Sequence, residues 1–154
     1  MSETFLYNSN SGDYKFAMAY PAVEEFAMAS LGYLWLYKIA DTINGISASR
    51  IYTDKININS HKLDSIGFSL SFDFDYMGVF EILQKLNIPF YSKDRSSNFP
   101  IIFAGGPVIT TNPRPYELFF DFLILGDGED IFEKVLNILK EKLDKKTTLE
   151  KVSK

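Results

Sequence analysis

The sequence predicts an α/β fold, a doubly wound parallel sheet of about five strands with helices on both faces. Three observations carry that reading. Short apolar runs alternate along the chain with segments of helical periodicity. Two of those runs end in glycine turns, Gly105-Gly106 and Gly126-Asp127-Gly128, within one stretch, "FAGGPVITTNPRPYELFFDFLILGDGED". The chain has 154 residues, 46% hydrophobic and 16% aromatic, which suits one domain with a substantial core.

The elements follow in order. "YKFAMAYP" (residues 14–21) is a first strand, stopped by Pro21. Residues 23–43, "VEEFAMASLGYLWLYKIADTI", have the length of one helix, with Glu24 and Glu25 at the positive end of its dipole. It is apolar on most sides and is expected to be deeply buried, Trp35 included. "SASRIYTD" (47–54) is a second strand and "LDSIGFSLSF" (63–72) a buried third. Met77, Phe80, Leu83 and Leu86 recur at helical spacing, with Asp73 or Asp75 as candidate caps and Pro89 beyond the end. "FPIIFAGG" (99–106) is a fourth strand, "RPYELFF" (114–120) a short helix and "DFLILGDG" (121–128) a fifth strand. A last helix shows Ile131, Phe132, Val135, Leu136, Leu139 and Leu143 on one stripe, with lysines near its negative end. The tail loses periodicity. The expected organisation is a domain over 1–143 and a linker over 144–154. Strands alternating with helices at this density fit the flavodoxin-like arrangement, in which ligands lie outside the carboxyl ends of the strands.

Composition removes several classes of function. The formal net charge is -4, which argues against binding that rests on neutralising nucleic-acid phosphates. The chain has no cysteine and one histidine, His61, so it offers no disulfide, no thiolate catalysis, no iron–sulfur cluster of its own and no histidine-rich metal site. No apolar run has transmembrane length and the N-terminus is polar, unlike a signal peptide, so the expectation is a soluble cytoplasmic protein.

The candidate ligand residues sit at the predicted strand ends. They are Tyr20 and Pro21 after the first strand, Ser69 and Ser71 at the end of the third, Gly105, Gly106 and Pro107 after the fourth, and Gly126, Gly128 and Glu129 after the fifth. Glycine lets backbone approach a ligand or turn with positive φ. Tight turns, with Asp127 as a helix cap, explain the same glycines equally well. The first loop, "YPAVEEF", contains neither a G-x-G-x-x-G fingerprint nor a P-loop. The acids Glu24, Glu25, Asp73, Asp75, Asp127, Glu129 and Asp130 are candidates for an acid–base pair or a magnesium site, though acids at helix starts also follow from the dipole. His61 reads as an exposed loop residue. In "NPRP" two prolines stiffen the chain around Arg114.

"GFSLSFDFDYMGVFEILQKLNIPFYSKDR" followed by "PIIFAGGPVITTNPRPYELFFDFLILGDGED" resembles the N-terminal, cobalamin-binding-like domain of a family of radical SAM proteins. The likeness runs from about Tyr20 to Asp130 and rests on the order GGP, NPRP, FFD, GDGE. It implies a non-catalytic accessory domain of a radical SAM iron–sulfur enzyme, an Fe–S oxidoreductase or methyltransferase-like parent. The partner is then a radical SAM barrel of the same parent chain, missing here, where a C-x-x-x-C-x-x-C motif holds a [4Fe-4S] cluster and S-adenosylmethionine is cleaved. Cobalamin is the candidate ligand of this domain. Domains that bind it carry Asp-x-His-x-x-Gly after the first strand, Ser-x-Leu after the third and Gly-Gly after the fourth. Here the axial histidine is missing, Ser69 matches the serine and Gly105-Gly106 match the pair. The alternatives are a stand-alone flavodoxin-like module for a nucleotide or flavin, and a purely structural docking domain.

Overall fold

A computed structural model describes residues 12–154. The opening segment read as unlike a signal peptide falls largely in residues 1–11, outside the described residues. Five strands form one sheet: β1 (Tyr14–Ala19), β2 (Ile46–Ile51), β3 (Ser65–Ser69), β4 (Ile101–Gly105) and β5 (Phe122–Leu123). Their order is β2-β1-β3-β4-β5 and every neighbouring pair is parallel. This is the doubly wound, flavodoxin-like order, whose direction of winding reverses between β1 and β3.

Alternation along the central strands splits the core into two layers. Phe16 and Met18 face one side, with Phe103 of β4. There they meet α2 (Leu31–Thr42) through Tyr33, Tyr37 and Ala40, and α5 (Gly128–Leu139) through Phe132, Val135, Leu136 and Leu139. Ala17, Ala19, Ile66, Phe68 and Ile102 face the other side. They are covered by Val79, Ile82 and Leu83 of α3 (Asp75–Lys85) and Ile109 of α4 (Pro107–Thr111). The central strands are apolar toward both layers because both faces are covered. Burying each of the larger side chains contributes roughly 1.5–3 kcal/mol.

The structure corrects several local expectations. The single helix over 23–43 is two, α1 (Glu24–Met28) and α2, because the Ser30 hydroxyl accepts from the Tyr33 amide at 3.4 Å and starts a new helix. Nor is it deeply buried all round. Its buried stripe is Tyr33, Tyr37, Ala40 and Asp41, while Trp35 is 54% exposed, since a helix in an outer layer buries only the side that faces the sheet. Neither Asp73 nor Asp75 caps α3; its cap position is Phe74. The run 114–120 makes only a 3-10 turn at Arg114–Tyr116, and an unanticipated helix, α4, starts on Pro107. β5 is two residues long: Ile124 still donates to Ala104, but Gly126 turns away with φ of 88°. The tail expected to lose periodicity forms α6 (Lys145–Val152). Asp144 caps it, accepting from the Thr147 amide at 3.0 Å.

A buried ion pair ties this end of the molecule together. Arg95 and Asp121 are both buried, 3.5 Å apart, and Lys145 of α6 reaches the same Asp121 carboxylate at 2.7 Å. Arg95 also donates to the carbonyls of Pro89, Phe90 and Phe119, and the other Asp121 oxygen accepts from the Ile102 amide at 2.8 Å. Among the described residues, no helix is long and apolar enough to cross a membrane.

Candidate functional site

The parallel sheet puts all its carboxyl ends on one edge, and each candidate residue lies there. At the exit of β1, the Tyr20 amide donates to Ile51 at 3.0 Å and its buried ring meets the edge of Tyr33, centroids 5.2 Å apart. Burial, then the charge of Asp75, pushes the Tyr20 hydroxyl above its ordinary value. Pro21 lies under α3, where its carbonyl abuts Gly78 so closely that a Cβ on the glycine would collide with it.

At the exit of β3, Ser69 pairs in register with Gly105, and the Leu70 amide donates to the Gly105 carbonyl at 2.9 Å. The Ser71 and Phe72 amides both point at one oxygen of Asp75, at 2.7 and 2.9 Å. A carboxylate of the chain thus takes the two amide donors an anionic ligand would need. At the exit of β4, Gly106 has φ of 119° and lies on the backbone carbonyl of Leu70, where a side chain would not fit. Glycine is required there both by the dihedral and by the close approach. Past their last strand residues, then, the ends of β3 and β4 close on each other.

The open space lies beside them. A groove of about 770 Å³ runs between the start of α2, α4 and the start of α5. Gly106, Pro107, Gly126, Gly128 and Glu129 line it, with Gly32 and Leu36 of α2 opposite. Space is free above Gly32 and Gly126, where an added Cβ would meet nothing within 4 Å. The Gly126 amide is held by the Thr110 hydroxyl at 3.0 Å. The charged residues lining the groove are Asp127, Glu129 and Asp130, with no lysine, arginine or histidine. A phosphate placed there would meet carboxylates and no cation.

Five of the ten candidates are therefore brought together in this groove, while Tyr20, Pro21, Ser69, Ser71 and Gly105 lie outside its lining. Asp127, Glu129 and Asp130 share this groove, but the other candidate acids do not join them. Glu24 pairs with Lys55 at 3.1 Å, Asp75 serves its own loop, and among the described residues no group of three His, Cys, Asp or Glu could hold a metal ion. Exposed His61 belongs to a 3-10 turn (Ser60–Lys62) ahead of β3, far along the chain from the groove. Sequence reasoning missed the wall supplied by α2. Its one trace was Gly32, an unexplained glycine inside a helical pattern.

Comparison with curated proteins gives no match, and neither does comparison with solved structures. A family profile described as radical SAM proteins, N-terminal, matches residues 47–154. The matched segment takes in β3, β4 and β5 with both glycine turns, and α6 beyond them. It covers well over half of the chain: the protein belongs to the family of N-terminal domains of radical SAM proteins.

Proposed function

We propose that this domain is a non-catalytic accessory unit that docks on the radical SAM barrel of its parent chain through the carboxyl edge of the sheet. One observation carries this. Among the described residues, eight large apolar side chains are more than half exposed, and seven of them follow the carboxyl ends of β1, β3 or β5. They are Phe26, Leu31 and Trp35, then Phe72, Phe74 and Met77, then Leu125; Leu118 is the exception. Leu31 at 82% and Phe74 at 75% are nearly bare. Phe72, Phe74 and Leu125 stand within five residues of the ends of β3 and β5, and exposed apolar side chains beside one another mark an interaction face.

In this reading the [4Fe-4S] cluster and S-adenosylmethionine belong to the barrel, since this chain supplies no cysteine. Residues 144–154 lead toward that barrel as a packed helix held by Asp144 and Lys145, rather than as a loose tether. Cobalamin fits the described atoms poorly. The serine and glycine pair that would flank its tail are pressed together by the Leu70–Gly105 hydrogen bond and the Gly106–Leu70 contact. A nucleotide or flavin phosphate is disfavoured by the carboxylates of the groove.

Hydrogen exchange tests the docking. Amides of residues 70–77 should exchange more slowly in the full-length parent than in the 154-residue chain, and Phe72→Ala with Phe74→Ala should erase the difference. Equal exchange in the two proteins would sink the reading. Hydroxocobalamin should show an unchanged visible spectrum with the chain and no retention on desalting. A shifted spectrum with retention would restore cobalamin as the ligand.

A further inference from the structure

A second opening lies on the outer face of α3, apart from the glycine groove. It is a pocket of about 340 Å³ lined by Asp73, Tyr76, Phe80, Pro115, Tyr116 and Phe119. Four of those six side chains are aromatic rings, and the only charged one is a carboxylate. We propose that this pocket binds an organic cation of the alkylammonium class.

The rings stand as walls rather than as a stack. Phe80 meets Phe119 with centroids 4.9 Å apart at 79°, and Tyr76 meets Phe80 at 6.2 Å and 68°. The Phe80–Phe119 contact covers part of each ring, and the surfaces left uncovered border the pocket with Tyr76 and Tyr116. An aromatic face carries negative charge density and attracts a cation, most strongly where water is displaced. A carboxylate at the rim adds to the same field. Asp73 has no ion-pair partner among the described residues. The second nearby acid, Asp75, spends one oxygen on the loop amides. The Tyr116 hydroxyl reports the field: burial first, then Asp73 and Asp75, push it above its ordinary value.

No cation of the protein lines the pocket. Arg114 precedes Pro115 in the chain but is not among the lining residues. The same aromatic row accepts a cation at its other end, where Lys93 sits 5.7 Å from the centroid of Tyr91 and Tyr91 meets Phe119 at 5.3 Å. A neutral apolar ligand would gain burial here but nothing from the field. Discrimination by charge at constant shape is therefore the signature of the site.

The probes are choline and its neutral isostere 3,3-dimethyl-1-butanol, titrated into the 154-residue chain and followed at the ring protons of Tyr76 and Tyr116. Choline should bind about tenfold more tightly than the isostere, in line with a desolvated cation–π contact. Asp73→Asn and Tyr76→Ala, both at exposed positions, should each remove most of that preference while the circular dichroism spectrum stays native. Nα-Acetyl-trimethyllysine amide separates the sources: tighter binding than choline assigns the cation to a protein side chain, weaker binding to a free small molecule. Equal affinity for choline and the isostere, or no response to choline, would overturn the proposal.

Discussion

Gly78 of α3 rests directly on the carbonyl of Pro21, with no room for even a methyl group between them. This contact seats α3 on the exit of β1, beside the point where the sheet reverses direction, the place where such folds usually hold a ligand.

Gly78→Ala tests it. In an ordinary helix this change gains about 0.5–1 kcal/mol from propensity. Here the methyl must push α3 off the Pro21 loop, so overpacking should cost about 1–3 kcal/mol. The matched control is Gly32→Ala in α2, where nothing lies within 4 Å and the propensity gain should appear in full. Urea midpoints of the two variants should move in opposite directions. Parallel shifts would mean the Gly78 contact is not tight.

The Arg95–Asp121 pair predicts a second asymmetry. Asp121→Asn leaves a buried guanidinium without its counter-charge and weakens a link to α6, so about 3–5 kcal/mol should be lost. Lys145→Ala removes a partly exposed cation and should cost about 1 kcal/mol or less. Equal losses in the two variants would show that Lys145, not Arg95, is the main partner of Asp121.

The buried tyrosines set an alkaline limit on stability. Burial raises the hydroxyls of Tyr14 and Tyr33 well above the ordinary tyrosine value of about 10, and raises that of Tyr52 as well. The folded state keeps these protons when the unfolded chain begins to lose them. Their stabilisation is therefore complete below about pH 10 and declines as pH rises past it. Absorbance at 295 nm should show these rings ionising together with unfolding. Reversible ionisation of all nine tyrosines near pH 10 in the folded protein would contradict this.

The edge that carries Phe72 and Phe74 should be energetically idle in the isolated domain. Both are exposed, so Phe72→Ala and Phe74→Ala should each change stability by less than about 0.5 kcal/mol, alanine adding no cap to α3. A loss of 2 kcal/mol or more in thermal or urea unfolding would mean that these rings pack within the domain and are not free for a partner.

The legible part of this protein was what repeats locally. The apolar runs of β1, β3 and β4, the amphipathic stripe of α5 and the glycine turns at the strand ends all stand in the sequence, because each depends on near neighbours along the chain. The order GGP, NPRP, FFD, GDGE likewise pointed to the family that residues 47–154 match. Local signals misled where two competed, and at α4, the 114–120 run and the cap of α3. Ser30 as a cap overrode the apolar continuity of residues 23–43, and the capping Asp144 gave α6 to a tail with little periodicity.

The tertiary structure alone decided which strand ends meet and which stay open. Ser69 and Gly105 were chosen as ligand residues, and the backbone contacts that set them side by side join residues more than thirty positions apart. The groove wall from α2, the seat of Gly78 on Pro21 and the pocket shared by Tyr76 and Tyr116 have the same origin. A sequence states the polarity and local conformation of each residue. Spacing across the sheet, and so the shape of every site on its edge, is fixed only when the two core layers pack.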